Sequence, residues 1–309
     1  MTMRHLFGPI LSRRLGHSLG INLVPRKTCN YSCVYCQLGA TGKTTGEIRE
    51  HVPLEEVKED LELFFSKPHP ETDILTLIGD GEPLLFSPLG ELVDFIKARY
   101  SLPTALITNG SLLALEERRR ASKRVDLLLP TLDTVVEETW RKINRPWEGL
   151  SLEAYLEGLL LHRREMEGRM WAEVMVVAGV NDNDRELELL AAYLDRLRPD
   201  RIFLNLPVRP PAESWVKSPG EGFAERIRRW IPGIEGLGDE GEGKMDPSLY
   251  DTWQGWVRAV ALSHPVTVDL LAASSRISPA EVLERVKEME RRGEVLLILH
   301  AGKTFVRGV

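Results

Sequence analysis

The residues of this chain best suited to chemistry are gathered in Cys29-Asn30-Tyr31-Ser32-Cys33-Val34-Tyr35-Cys36. The sequence of 309 residues has three cysteines, and all of them lie here, separated by three and by two residues. An odd set this crowded is no disulfide framework, so metal ligation is the leading reading. Three thiolates at these gaps can wrap three irons of a cubic cluster and leave the fourth iron without a protein ligand. Structural clusters take four cysteines, so here one iron needs a ligand of another kind. A zinc ion completed by His5, His17 or His51 is the plainer alternative.

Other candidates follow in sequence. In Gly79-Asp80-Gly81-Glu82-Pro83, Gly79 and Gly81 would let backbone approach a ligand, and Glu82 offers an acceptor for an ammonium group. A surface turn has the same composition. Thr108-Asn109-Gly110-Ser111 and Pro130-Thr131-Leu132-Asp133 are also polar strand ends. Asn109 or Ser111 can cap the next helix, and Asp133 can bind a ribose hydroxyl or cap a helix from Thr134. Arg145, in Lys142–Pro146, can pair with a carboxylate or phosphate, or be a solvated helix-end charge. Asn181-Asp182 reads as a helix-capping pair, and Asn205 as a cap or a ligand-facing amide.

The elements that must position these residues alternate. Six Val/Ile/Leu-rich runs, Gly20–Val24, Ile74–Ile78, Thr104–Ile107, Asp126–Leu129, Trp171–Val177 and Arg201–Asn205, read as parallel strands buried on both faces. Helical patterns cover Leu54–Phe65, Leu89–Tyr100, Leu112–Ser122, Leu152–Met166 and Asp184–Arg196. Repeated βα units with polar loops at the carboxyl ends of the strands describe the working face of a barrel. The expectation is an α/β fold: a partial (β/α)6 TIM-like barrel over 1–235, then a small second domain over 236–309. Gly233–Gly243 reads as a linker, and Leu249–Leu262 as a helix. Two helices, Thr267–Ala273 and Pro279–Arg292, and a hairpin around Ala301-Gly302 then resemble a winged-helix domain.

The cysteine spacing after a first strand is the signature of the radical S-adenosylmethionine (radical SAM) superfamily, and the chain is identified as resembling it. That resemblance implies a [4Fe-4S] cluster on Cys29, Cys33 and Cys36, with S-adenosylmethionine chelating the fourth iron. Reductive cleavage then gives methionine and a 5′-deoxyadenosyl radical that takes hydrogen from a substrate. The resemblance further implies that Gly79–Pro83 meets the amino group of S-adenosylmethionine, chiefly through Glu82, and that Tyr35 lies near the adenine. Asn109, Thr131 and Asp133 join the cofactor-binding set. Phe7-Gly8-Pro9, Ser12–Gly16, Lys142–Pro146 and Arg209–Glu213 look like the branch related to tRNA wyosine-base synthesis. Synthetases of that kind use a second cluster on further cysteines, which this chain does not have.

Composition bounds the rest. The net charge of -6 argues against a general polyanion-binding surface. Residues 265–309 carry seven Lys/Arg against six acids, a net +1 that suits a protein contact as well as nucleic acid. Arg118-Arg119-Arg120 and Lys123-Arg124 form a basic run expected on a solvated helix face. Met1–Phe7 lacks a secretory apolar stretch and no run of about 18 apolar residues occurs, so a cytoplasmic place without membrane contact is expected. The substrate expectations are RNA (tRNA, by the branch), a protein or a small metabolite. A reducing partner such as flavodoxin or ferredoxin would supply electrons. From another class, a metal-dependent regulator could bind nucleic acid through the tail without catalysis.

Overall fold

The computed structural model describes residues 4–12, 14–236, 245, 247 and 250–309. Its main sheet has eight strands in sequence order: β1 (Leu6–Ser12), β2 (Gly16–Asn22), β3 (Ile74–Ile78), β4 (Thr104–Thr108), β5 (Leu127–Pro130), β6 (Arg169–Met175), β7 (Arg201–Asn205) and β8 (Glu235–Gly236). From β2 to β8 every pairing is parallel, and β1 joins β2 antiparallel. β1 and β8 are not paired with each other, so the sheet stays open, as a partial barrel requires.

Helices α1 (Leu54–Phe65), α2 (Leu89–Arg99), α3 (Glu116–Ser122), α4 (Glu137–Asn144), α5 (Leu152–Glu165), α6 (Asp184–Leu197) and α7 (Phe223–Trp230) link the strands. α6 shows the local logic. Asn183 caps it by accepting from Glu186 N–H (3.1 Å), and Leu187, Leu190, Tyr193, Leu194 and Leu197 bury one face. Arg198, at φ +51°, ends it. Such faces cover strands whose own side chains are buried on both parities, as in β5.

The six expected strands are β2 to β7; β1 and the two-residue β8 are additional. β1 is an edge strand with a register shift between Phe7 and Ile10, around Gly8-Pro9, residues that read as a turn. Its Phe7 ring occupies the space a side chain at Gly20 would need. Three expectations are corrected. Leu112–Ser122 is not one helix: a 3-10 turn, Ser111–Ala114, precedes α3, with Leu115 extended between them. Asp133 caps nothing, because α4 starts at Glu137 behind Val136. The basic run is only in part a solvated face: Arg120 and Arg124 are exposed, but Arg118 and Arg119 are not. Arg118 donates to the carbonyls of Phe86 and Ser87, while Arg119 donates to Leu113 O and pairs with Glu165, both side chains being buried.

Beyond the sheet lies a second module: α8 (Trp253–Ser263), β9 (Val266–Thr267), α9 (Val268–Ser275), α10 (Pro279–Arg291), β10 (Val295–His300) and β11 (Lys303–Gly308). Its three-stranded sheet runs β10-β11-β9. Trp256, Val257, Val260, Val266, Leu271, Val282, Val286 and Val306 form its own core. Thr252, Thr267 and Ser278 cap its helices, and Ala301 and Gly302, both at positive φ, turn its hairpin. Of the expected linker, 237–243 lies outside the described residues, as does Leu249. No described helix is long and apolar enough to cross a membrane.

Gly158 of α5 illustrates packing overriding propensity. A Cβ there would lie 2.6 Å from Leu113 O, against the turn that follows Asn109. Alanine would gain about 1 kcal/mol in helix propensity. Gly158→Ala should nonetheless destabilise the protein, by roughly 1–3 kcal/mol of overpacking, in urea unfolding. Gly220→Ala, facing open space, should be close to neutral. Equal midpoints for the two variants would refute the packing account.

Candidate functional site

The segment from Arg26 to Gly39 has almost no regular structure, so its backbone polar groups must find partners elsewhere. At its start Lys27 N–H donates to Asp80 O (2.6 Å), and Thr28 O accepts from Glu82 N–H (2.9 Å). Ser32 N–H and Val34 N–H donate to Asn144 O (3.0 Å) and Ile143 O (2.8 Å) at the end of α4. Val34 O accepts from Glu213 N–H (3.0 Å), and Cys36 O from Gly39 N–H (3.0 Å). Tyr31 is buried, with its hydroxyl accepting from Trp140 Nε1 (2.9 Å). Segments far apart in sequence, Gly79–Pro83, Lys142–Pro146 and Arg209–Glu213, thus converge on the cysteine loop.

Amide donors also reach the sulfurs. Tyr31 N–H lies 3.4 Å from Cys29 Sγ, Asn109 Nδ2 3.9 Å from it, and Asn144 Nδ2 3.5 Å from Cys33 Sγ. Burial, reinforced by nearby Glu82, pushes the Cys29 thiol up to about 12, and burial raises Cys33 well above the ordinary range. Free thiolates are therefore disfavoured here. A cation at the sulfurs would reverse this and release protons. A single zinc ion with bonds of about 2.3 Å would need its sulfurs within about 4 Å of one another. Among the described residues, no three His, Cys, Asp or Glu donors that include a cysteine gather within 4.8 Å. The wider spread suits a multi-iron group, and the donor set of three thiols fits it.

Glu82 is 1% exposed, and its carboxylate is already engaged. Oε1 accepts from Leu84 N–H (2.9 Å) and Thr108 Oγ1 (2.5 Å), and Oε2 accepts from Asn109 N–H (2.8 Å). It clamps the ends of β3 and β4 together, and one lone pair on Oε2 is left over. Burial raises its pKa to about 7. The neighbouring glycines have packing reasons: a Cβ at Gly81 would overlap the Thr28 carbonyl, and one at Gly79 would lie 2.5 Å from Val24 Cγ2. Asn109 Nδ2 donates to Asn30 Oδ1 (2.7 Å), and its Oδ1 accepts from Ser111.

On the other flank, Asp133 Oδ2 accepts from Tyr35 O–H (2.6 Å) and Asn144 Nδ2 (2.7 Å), and Oδ1 from Met175 N–H (3.1 Å). Burial raises Asp133 to about 6. Thr131 bridges to Glu173 through the backbone, and its carbonyl accepts from Tyr155 O–H. Arg145 pairs with Glu213, and Asn205 donates to Glu173 (3.2 Å). Asn183, not the expected Asn181-Asp182 pair, caps α6; Asn181 is buried and ties Val177, Asp133 and Met175 together. His17 lies beside Asp73 (3.0 Å) and Glu71, His5 beside Glu56, and His51 binds Glu47 O. Asn30 and Asn144 were not singled out in the sequence. Neither Asn30, in the irregular loop, nor Asn144, the last residue of α4, carries a periodic signal.

A chamber of about 350 Å³ opens beside the loop. Its walls are the β1–β2 hairpin, the inner face of the sheet at Thr76, Ile107 and Met175, Gln37 next to Cys36, and His264 at the end of α8. Arg14 and Glu173 form an ion pair within it. Arg209 donates to Gln37 Oε1 (2.8 Å) and to His264 Nε2 (2.8 Å). Burial, followed by Arg209, lowers the His264 pKa well below the ordinary value, so the ring is neutral and Nε2 accepts.

A carboxyl group whose folded pKa is raised loses stability as pH climbs. Below about 4.5 both states of Glu82 are protonated; between 4.5 and 7 only the unfolded state ionises. In metal-free protein the group should therefore withdraw about 3 kcal/mol between those pH values. Glu82→Gln should flatten that part of the stability profile in denaturant titrations at stepped pH. Parallel wild-type and variant profiles would show that Glu82 titrates normally.

The Radical SAM superfamily model matches residues 23–191. The UPF0026 protein of Methanocaldococcus jannaschii is 39% identical over 97% of this chain and 94% of its own length. A UPF0026 protein of Helicobacter pylori is 33% identical over 66% of this chain and 67% of its own. A radical SAM methyltransferase from Sphaerobacter thermophilus shares the fold at 16% identity and a TM-score of 0.55, over 71% of this chain and 65% of that one. With more than half of its residues inside that model and a full-length relative of this similarity, the chain belongs to the Radical SAM superfamily.

Proposed function

We propose that the chain holds a [4Fe-4S] cluster on Cys29, Cys33 and Cys36 and works with S-adenosylmethionine on a small substrate bound in the chamber. The observation that carries this reading is the loop itself: three cysteines and no fourth, with the loop's own Tyr31 N–H and amides from two other segments, Asn109 and Asn144, directed at the sulfurs of Cys29 and Cys33. Bound together, the two cofactors would supply reductive cleavage of the sulfonium and a 5′-deoxyadenosyl radical that takes a hydrogen atom.

The chain's own residues would hold and screen these groups. The leftover lone pair of Glu82 would take the amino group of S-adenosylmethionine, with Gly79 and Gly81 shaping the shelf beneath it. Asn109, Thr131, Asp133 and Tyr35 line the neighbouring strand ends and would meet the rest of the cofactor. Amide donors to the sulfurs would ease reduction by delocalising charge. A small iron-sulfur or flavin protein, such as a ferredoxin or flavodoxin, would deliver the electron.

The module over 236–309 is read as winged-helix-like, with the barrel over 1–235. On α10 its cations are occupied: Arg285 with Glu281, Lys287 with Glu284, and Arg291 and Arg292 with Glu288. That pattern favours closure of the chamber over nucleic-acid binding, and a small metabolite over RNA. A protein or RNA offering one side chain or base is the second reading. The exposed Leu11 and Val208, which also line the chamber, favour it.

Anaerobic reconstitution should give about four irons and four sulfides per chain. Any one of Cys29→Ala, Cys33→Ala or Cys36→Ala should abolish the cluster, because no spare thiol exists. Under a strong reductant the intact protein should convert S-adenosylmethionine to 5′-deoxyadenosine and methionine, measured by chromatography. A loaded, reduced protein that leaves it intact would overturn the proposal.

A further inference from the structure

The second module touches the cysteine loop at a corner made of cations. Arg26, two residues before Thr28, spans the seam: Nη1 donates to Leu262 O (2.6 Å) at the end of α8, and Nη2 to Gly308 O (2.9 Å) at the end of β11. The same Nη2 lies 3.5 Å from Leu38 O, on the loop. Gln37 Nε2 reaches Ser263 O (3.5 Å), and Arg209 joins Gln37 to His264. Lys27 donates to Gly39 O. A methyl group added at Gly39 would lie 3.6 Å from Arg307 Nη1 and 3.7 Å from Lys27 Nζ.

Three cations from two modules therefore crowd the turn that follows Cys36. Among the described residues, none of the three has a carboxylate in ion-pair range; the hydrogen bonds of Arg26 and Lys27 go to main-chain carbonyls. Burial, then the neighbouring Arg26, lowers the Arg307 pKa, and Cys36 opposes this. Like charges brought together at a half-buried seam are unfavourable unless an anion offsets them. The nearby groups able to carry negative charge are the buried Asp80 carboxyl, whose pKa burial raises, and the sulfurs of Cys36 and Cys29. A cluster bound to three thiolates is such an anion, and it gains charge on reduction.

We propose that the second module is part of the cluster site: Arg26 latches it onto the loop that follows Cys36, and Arg307 brings a positive charge to that cysteine. This rests on the cluster reading above and extends it, giving the module a part in holding and reducing the cluster. Arg26 acts as a positioning residue, since a planar guanidinium can reach carbonyls on both modules at once, which a lysine cannot.

The test uses full-length, anaerobically reconstituted protein. Arg26→Ala should lose iron to a chelator about tenfold faster, as expected when one or two hydrogen bonds no longer oppose local opening. In metal-free protein the same change should speed amide exchange both in residues 37–39 and in 262–264, but not in β3 or β4. Arg26→Lys, milder if alanine fails to fold, should restore little of either. Arg307→Gln should keep its iron, yet at a potential that half-reduces the wild type its reduced-to-oxidised ratio should fall at least about threefold. Unchanged iron retention in both Arg26 variants, or an unchanged ratio in Arg307→Gln, overturns the inference. Wild-type protein that takes up no iron would instead refute the cluster reading itself, and this inference with it.

Discussion

A loop without regular structure has to satisfy its backbone from outside, and that requirement organises the upper half of this molecule. The cysteine segment borrows partners from the ends of β3, from the last turn of α4 and from the segment after β7. Each lender must be held at a fixed height above the sheet for the hydrogen bonds to form. The Glu82 clamp between Leu84, Thr108 and Asn109 does this for one flank. Asp133, bonded to Tyr35, Asn144 and Met175, does it for the other. Both carboxyls are buried, so their desolvation is tolerated only because these donors surround them.

The same arrangement separates rigidity from reactivity. The polar groups resembling cofactor contacts spend most of their hydrogen-bonding capacity on one another, which fixes their positions before anything binds. What they leave over is small and directional: one lone pair on Glu82 and one on Asp133. Preorganisation of this kind lowers the entropy lost on binding.

Much of this was legible in the sequence, for a physical reason. Parallel strands buried on both faces leave continuous apolar runs, so Ile74–Ile78 and Arg201–Asn205 could be delimited to the residue. α1 likewise shows its period in Leu54, Val57, Leu61 and Phe64. The cysteines and Glu82 stood out because their types and spacing are rare. What escaped was long-range or locally ambiguous. β1 contains a Gly-Pro pair that imitates a turn, and the burial of Arg118 and Arg119 depends on carbonyls from distant turns. Arg26 gave no sign, since its partners Leu262 and Gly308 are more than 230 residues away.

That last separation bears on the order in which the protein matures. Strands β1 to β8 add to the sheet in the order in which the ribosome delivers them, so the barrel can grow from one edge as it emerges. The thiols appear early, after the second strand, but the carbonyl that closes the seam over them belongs to residue 308. Nascent chains thus pass through a long interval with exposed, reactive sulfur and no finished shelter. If the thiols hold the proposed cluster, loading of iron and sulfide would follow synthesis of residue 308, and an oxidant met during synthesis would find the cysteines at their most vulnerable.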